Sequence, residues 1–179
     1  DVYLGAIGND NEFVANQIGD ANSAHIANFN GNDNNVDIAQ AGDENTVLVQ
    51  SSYPDTSLSS NDNDIAINQE GNLNEAALTF ASVLDSNNNQ VAFTQVGELN
   101  AIDLIMEGSS NSVDISQTGS ENFVAGIGEG AFLLGGEGNS LVVVQEGNAN
   151  LVEGSMIGSN STVVITQLGD GNIATVTQE

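Results

Sequence analysis

The side chains of this 179-residue chain that could do chemistry are almost all carboxylates and amides. There is no Lys, Arg or Cys, and His25 is the single histidine. Acid pairs such as Asp62 and Asp64 are then the remaining catalytic candidates, but they are more simply explained as solvated turn residues. We therefore expect no enzymatic activity and no cofactor.

Oxygen ligands for a cation are the second chemical option. Residues 31–37 read GNDNNVD and residues 61–64 read NDND, and Ca²⁺ prefers such carboxylate and amide oxygens. The spacing matches neither an EF-hand loop nor the glycine-rich calcium-binding nonapeptide. Weak, non-specific cation binding is expected, and no defined metal site is predicted.

The charge restricts the partners. The chain carries 25 Asp and Glu and a formal net charge of −25. Phosphate binding relies on Lys and Arg, so nucleic acid is excluded as a partner, and attraction to an anionic membrane surface is excluded for the same reason. No apolar run of 18 residues exists, so membrane insertion is not expected either.

Amide side chains recur in a fixed phrase, Q-x-G-x-x-N, and seven copies cover the chain. Its Gln residues are Gln17, Gln40, Gln69, Gln95, Gln117, Gln145 and Gln167, and its Gly residues are Gly19, Gly42, Gly71, Gly97, Gly119, Gly147 and Gly169. An Asn recurs with a shorter, eleven-residue spacing. These residues are Asn11, Asn22, Asn34, Asn45, Asn63, Asn74, Asn89, Asn100, Asn111, Asn122, Asn139, Asn150 and Asn172, and Ser161 takes the Asn place once.

Between these recurring Gln, Gly and Asn residues, apolar residues alternate with polar ones. Pairs such as Val36/Ile38 and Val47/Val49 lie two and four residues after an Asn, and the last-but-two unit gives Val124/Gly126. Period two with β-branched residues predicts strands with one buried face, and Gly at a fixed offset supplies a tight bend. Each unit of about 22 residues is thus predicted to be strand, bend, strand, bend.

Two short strands cannot bury a face unless successive units stack. The prediction is an all-β, two-sheet β-solenoid in a single domain, residues 1–179, with seven coils and an N-terminal half coil. The coils start near 11, 34, 63, 89, 111, 139 and 161, with insertions near 51–60, 81–87 and 129–136 at the bend that leaves the second strand. The insertion near 51–60 contains Pro54, the only proline.

Stacking places identical residues above one another. The Gln column and the Asn columns are expected to form amide ladders, as in cross-β structures. Outward acidic residues such as Asp37, Asp103 and Asp114 are expected to repel like charges stacked beside them, which would slow association until pH falls or salt rises.

The unit resembles the curlin repeat, S-x5-Q-x-G-x-x-N-x-A-x3-Q. Ser161, Gln167, Gly169, Asn172 and Gln178 match it together with Ala174, and the resemblance extends over essentially the whole chain. The second Gln of the repeat is otherwise replaced. The residues in its place are Asn28, Ser51, Phe80, Met106, Gly128 and Met156.

The resemblance implies a secreted, cell-surface subunit of curli, the amyloid fibre (pilus) of biofilm matrix. It implies polymerisation with copies of itself, a nucleator subunit and a dedicated outer-membrane secretion system as partners, and a role in adhesion. Asp1 follows neither Met nor a basic leader, which is typical of a processed, exported protein. Two uncapped solenoid ends predict head-to-tail addition into an open filament.

Three alternatives remain. The runner-up is a monomeric acidic β-solenoid that acts as an adhesin or as a cation-dependent surface protein. Ice binding would need a regular threonine array, whereas the outward row mixes Val14, Asp37 and Ala66 with further Ala, Asp and Val residues. A pH switch at His25 is the third, and a plain surface role explains that residue more simply.

Overall fold

The structure is a computed structural model that describes residues 1–52, 57–128 and 130–179. These residues form sixteen strands in two parallel sheets. The part of the chain so described contains no helix, and hence none long and apolar enough to cross a membrane.

The two arms of each coil contribute to different sheets. The nine-stranded sheet contains β1 (Val2–Ile7), β3 (Ser23–Asn30), β5 (Thr46–Ser51), β7 (Glu75–Phe80), β9 (Ala101–Glu107), β11 (Phe123–Ala125), β12 (Phe132–Gly135), β14 (Leu151–Ile157) and β16 (Ile173–Gln178). The seven-stranded sheet contains β2 (Glu12–Ile18), β4 (Asn35–Ala41), β6 (Asp64–Asn72), β8 (Gln90–Glu98), β10 (Ser112–Ser120), β13 (Ser140–Asn148) and β15 (Thr162–Leu168).

Strands of one sheet follow each other in chain order and pair in register. Ile38 pairs with Ile67, and Ile67 pairs with Phe93, one coil further on. Equivalent residues lie 22 to 29 positions apart, because insertions lengthen some coils beyond the predicted 22 residues. The β-solenoid prediction is therefore confirmed.

The core lies between the two sheets and runs along the solenoid axis. The inward positions of both arms hold apolar residues such as Val36, Ile38, Val47 and Val49, all 0 % exposed. Their period of two matches the alternation of side chains along a strand, so one face of each strand is buried and the other is outside. One coil alone cannot bury the inward faces of its strands, and the coils on either side complete their burial.

The insertion predicted near 129–136 lies instead between β11 and β12, so that residues 132–135 belong to a strand. Phe132 pairs with Leu104 and Leu134 with Met106, so residues 132–135 are the second half of a split strand. The inward pair of this coil is Val124 and Phe132, not Val124 and Gly126. Gly126 carries no side chain to fill the core, whereas Phe132 is fully buried. Leu134, not Gly128, takes the place of the second Gln.

The extra residue after Asn22 forms a bulge. Asn28 has φ 58° and points to solvent, and Phe29 takes the buried position instead. The prediction that Asn28 occupies the second Gln position was therefore wrong by one residue. The Phe29 ring packs on Phe80, with centroids 6.5 Å apart, and this aromatic contact favours the bulge because it buries the larger apolar side chain. Pro54, in the insertion near 51–60, lies outside the described residues.

Candidate assembly interface

A continuous ladder of Gln side chains runs along the core beside the bend. Each Nε2 donates to the Oε1 of the equivalent Gln in the next coil, from Gln17 through to Gln167, at 2.7–2.9 Å. From Gln40 to Gln145 these side chains are at most 2 % exposed. In order, the members are Gln17, Gln40, Gln69, Gln95, Gln117, Gln145 and Gln167.

Each Gln also ties the two sheets together. The second N–H of Gln40 donates to the carbonyl oxygen of Ser23 at 3.0 Å, and that of Gln69 donates to Thr46 at 3.1 Å. The carbonyl belongs to the first residue of the second arm in the preceding coil. A buried amide must have its donors and acceptor satisfied, and in this position all of them are.

Two ladders of Asn side chains line the bends. Asn45 donates from its backbone N and from Nδ2 to Asn22 Oδ1, at 3.0 and 3.1 Å, and its Nδ2 also donates to the carbonyl oxygen of Gly71. The Asn ladders donate towards lower-numbered coils, whereas the Gln ladder donates towards higher-numbered coils. One ladder contains Asn11, Asn34, Asn63, Asn89, Asn111 and Asn139 with Ser161 at its end. The other contains Asn22, Asn45, Asn74, Asn100, Asn122, Asn150 and Asn172.

The Gly of each phrase is required by the stacking as well as by its backbone angle. A Cβ on Gly71 would lie 2.0 Å from the carbonyl oxygen of Gly97, and φ at Gly71 is +113°. The same close approach repeats along Gly19, Gly42, Gly71, Gly97, Gly119 and Gly147, and Gly169 is the last of the column. The sequence pattern predicted only the bend.

The residue before each Asn was not singled out by the sequence. Leu99 has φ +57° and Glu121 has φ +57°, a conformation that non-glycine residues rarely adopt. Their identities vary, so no residue type reports the position. The position can be found only by counting, because the residue lies directly before the stacked Asn and two residues after the stacked Gly, or after Ser60 or Ser86 in the two coils where Ser replaces that Gly.

The outermost layers of the described chain expose their inward faces. Val2 and Leu4 point towards the core but remain 45 % and 46 % exposed, since no coil covers them on one side. Phe13 and Ala15 at one end, and Val163 and Ile165 at the other, are only partly buried. The strands β2 and β15 are the edges of the seven-stranded sheet, and such edges can template another chain.

The polar groups at the two ends are complementary. Gln167 Nε2 donates to the carbonyl oxygen of Leu151, and its second N–H has no acceptor among the described residues. At the other end, Gln17 supplies an Oε1 that accepts from no described donor. The ladder from Asn22 to Asn172 has the reverse arrangement. Its terminal acceptor is Asn172 Oδ1 at one end, and its terminal donors are the backbone N and Nδ2 of Asn22 at the other end.

The two end members of the ladder from Asn22 to Asn172 replace the missing contact to a neighbouring coil with a hydrogen bond inside their own coil. Asn22 Nδ2 donates to Ile18 O at 3.3 Å and Asn172 Nδ2 donates to Leu168 O at 3.2 Å, each four residues back in its own coil. The interior members of this ladder use neighbouring coils instead. The Gln column and this Asn column therefore present opposite hydrogen-bonding groups at the two ends, which is the arrangement a head-to-tail contact needs.

On the outer faces of the strands, Asp37 and Asp114 do not pair with other acidic residues, although acidic residues do stack in the bends, where the backbone N of Asp20 donates to Asp43 Oδ1 at 2.8 Å. Asp37 pairs with Val14 and Ala66, and Asp114 pairs with Ala92 and Val142. The expected in-register repulsion between like charges is therefore wrong for Asp37 and Asp114 within the molecule. Asp103 pairs with Ala77, and its pKa is raised by burial first and by the charge of Glu75 second.

The other candidate groups are surface features. His25 Nε2 lies 3.9 Å from Asp1 Oδ2, and its ring makes an edge contact with Tyr3 at 6.0 Å. Within residues 1–52, 57–128 and 130–179, no three His, Asp or Glu side chains lie together in a way that could hold a metal ion. Asp62 and Asp64 belong to a bend and to the outward face of β6.

The comparisons with known proteins return nothing for this chain. No protein-family model matches it, and neither a curated protein nor a solved structure matches it.

Proposed function

We propose that this chain is a curlin-like structural subunit that polymerises head to tail into an extracellular amyloid fibre. The observation that carries the proposal is the complementarity of the two ends. Gln167 offers a donor where Gln17 offers an acceptor, and Asn172 offers an acceptor where Asn22 offers donors. One copy added to another would extend all of these columns with unchanged polarity.

The internal packing supports the same proposal. Every interior coil is stabilised by copies of itself, through parallel in-register pairing and stacked amides, as in cross-β assemblies. An added subunit would make at the junction the contacts that coils already make within the molecule. The proposed roles in the biofilm matrix and in adhesion, and the proposed secretion and nucleation partners, follow from the resemblance of the repeat to the curlin repeat.

A single glycine offers a test. A Cβ at Gly169 has no atom nearer than Asn172 Nδ2 at 3.9 Å, whereas a Cβ at Gly147 would lie 2.2 Å from the carbonyl oxygen of Gly169. In a head-to-tail stack, Gly19 of the next copy would lie on Gly169 as Gly169 lies on Gly147. With φ at +97°, Gly169→Ala strains its own bend, but its Cβ meets no backbone of the same molecule, so we expect a folded monomer that cannot be extended at this end.

The matched control is Gly171→Ala in the same bend. Its Cβ would have nothing within 4 Å, and Ala149 already adopts φ +54° at the equivalent position. Purified chain should form fibres with a repeat of about 4.7–4.8 Å along the axis, Gly171→Ala should do so too, and Gly169→Ala should stop growth of wild-type seeds. Wild-type protein that stays monomeric for days at high concentration would favour the monomeric adhesin.

A further inference from the structure

The two sheets have unequal numbers of layers. The seven-stranded sheet has one strand per layer, from β2 to β15. The nine-stranded sheet has eight layers, because β11 and β12 share one, and its additional layer is β1. This strand pairs with β3, and among the described residues no strand of the seven-stranded sheet lies in its layer.

This inequality creates a conflict at a head-to-tail junction. If β2 of the next copy pairs directly with β15, then β1 of that copy and β16 fall in the same layer of the other sheet. If β1 stays in place and pairs with β16, the seven-stranded sheet has an empty layer at the junction. Gln167 and Gln17 would then lie two layers apart, about 9–10 Å, which is too far for a hydrogen bond.

The strand β1 reproduces the contacts that a preceding second arm would make. The N-terminal ammonium group of Asp1 donates to Asn22 O at 2.6 Å, as the Ser23 N–H donates to Asn45 O at 2.8 Å. The Asp1 carbonyl oxygen accepts from Gln17 Nε2 at 3.3 Å, as that of Ser23 accepts from Gln40 Nε2 at 3.0 Å.

The strand β1 is poorly covered. Its pairing with β3 shifts register between Leu4 and Ala6, but the extra residue is Asn28 of β3, so an incoming strand would meet the same bulge. All residues of β1 except Gly5 are exposed. The strand is therefore an attached but weakly covered layer.

We propose that β1 is a placeholder strand, which β16 of the preceding copy displaces when a second copy of this chain is added. This mechanism rests on the proposed head-to-tail assembly. The incoming β16 would place Ala174 and Val176 where Val2 and Leu4 lie, against Ala24 and Ile26. The Ile173 carbonyl oxygen would replace that of Asp1 as acceptor for Gln17 Nε2.

The exchange itself replaces one pair of apolar residues with another, so its driving force lies in the other sheet. Displacement of β1 lets β15 pair with β2 and covers Phe13 and Ala15 with Val163 and Ile165, which are partly buried in the separate molecule. It also joins the Gln ladders of the two copies. A junction that retains β1 makes none of these contacts.

Disulfide trapping distinguishes the two junctions, and the absence of native Cys gives a clean background. By register, Thr175 occupies the place of Tyr3, which faces His25. Exchange puts Thr175 of one copy one layer from His25 of the next, within the roughly 4.4–6.8 Å Cα separation that disulfides span. A retained β1 puts Thr175 beside Tyr3 and about two layers from His25.

The experiment mixes single-cysteine variants of the full chain and oxidises the assembled fibres. We expect Thr175→Cys to cross-link with His25→Cys and not with Tyr3→Cys, as mapped by mass spectrometry after cleavage at acidic residues. The opposite pattern in fibres of normal morphology would overturn the exchange and leave the proposed function intact. Failure of wild-type protein to form fibres would overturn both.

A disulfide that holds β1 on β3 provides the second measurement. The double variant Tyr3→Cys/His25→Cys, when oxidised, holds β1 on β3 and should lose the ability to add to β16 until reductant is supplied. The control is Leu48→Cys/Ala77→Cys, an outward pair on β5 and β7, which should assemble equally well in both redox states. Normal growth of the oxidised Tyr3/His25 variant would contradict the displacement of β1.

Discussion

Gln69 Nε2 donates a hydrogen bond of 2.8 Å to Gln95 Oε1, and both side chains are 0 % exposed. The same pair is repeated from coil to coil, so the loss of one member affects two neighbours. The fold thus depends on an uninterrupted column and not on any isolated polar contact.

The Gln95→Ala substitution should therefore destabilise the solenoid strongly. It removes the acceptor of Gln69 Nε2 and the donor of Gln117 Oε1, and each unpaired buried group costs about 1–3 kcal/mol. The control is Gln50→Ala, which removes a half-buried outward amide bonded to Thr79 Oγ1. Urea unfolding should show a much larger fall for Gln95→Ala, and equal effects of the two substitutions would contradict a special role for the ladder.

The Gly97→Ala substitution should prevent normal stacking. The added Cβ would lie 2.0 Å from the carbonyl oxygen of Gly119, and φ at Gly97 is +117°. The backbone of two coils would have to separate, because a carbonyl in a stacked bend cannot rotate away. Circular dichroism and thermal unfolding should detect the loss, whereas Gly130→Ala, with nothing within 4 Å of its Cβ, should behave like the wild type.

The Asp103→Asn substitution should stabilise the fold at neutral pH. Burial, and then the charge of Glu75, raise the pKa of Asp103 above 3.8, its ordinary value in the unfolded chain. The folded state therefore binds a proton more tightly than the unfolded state. The resulting contribution to stability is fully present below pH 3.8 and is lost as pH rises through the folded pKa.

The stability difference between Asp103→Asn and the wild type should accordingly shrink as pH falls below 3.8. The Glu75→Gln substitution should recover only part of the effect, since burial is the larger cause. Unfolding free energies measured from pH 3 to pH 7 provide the check. A neutral or destabilising Asp103→Asn at pH 7 would contradict the assigned pKa direction.

The Glu107→Gln substitution should loosen the insertion that follows β7. Glu107 is 6 % exposed. Its Oε1 accepts from the backbone N of Ser82 and Val83, both at 3.0 Å, and its Oε2 accepts from Leu84 N at 2.8 Å. The Ser82 hydroxyl also donates to Oε1. An amide cannot accept at both positions, so about 1–3 kcal/mol should be lost.

Hydrogen exchange gives a local measure of that loss. The amides of Ser82, Val83 and Leu84 should exchange faster in Glu107→Gln, while the remaining coils keep their protection. The matched control is Glu146→Gln on the exposed face of β13. Unchanged protection at residues 82–84 would show that the carboxylate does not hold the insertion.

Assembly should accelerate with salt if the proposed fibre forms. The net charge of −25 opposes association, and the screening length falls from about 10 Å at 0.1 M to about 3 Å at 1 M salt. The double variant Asp37→Asn/Asp114→Asn should depend less on salt. Growth rates that ignore ionic strength in both chains would contradict electrostatic control.

Much of the fold could be predicted from the sequence, because each coil repeats the same local instructions. The Gln, Gly and Asn spacings predicted the bends and the columns, and the alternation of apolar residues predicted the sheets. The predictions failed where an insertion shifts the number of residues between an Asn and the next inward position. Gly126 and Asn28 were placed inward by counting from the preceding Asn, whereas the core selected Phe132 and Phe29, because burial of a large apolar ring outweighs regular spacing.

The candidate interface was less accessible to sequence reasoning. The sequence predicted that the ends are open, but not that Gln167 and Gln17 present opposite hydrogen-bonding groups. That property depends on the direction in which each amide points, and the residue type alone does not specify it. The unequal layers of the two sheets, in contrast, follow from the predicted N-terminal half coil, which the structure places as β1 beside β3.

The opposite directions of the Gln and Asn ladders have a consequence for long assemblies. In an α-helix, aligned peptide dipoles add along the axis and leave partial charges at the termini. Here the side-chain dipoles of the one Gln ladder oppose those of the two Asn ladders, so the axial moment that grows with each added subunit is smaller than it would be if all three ladders pointed the same way.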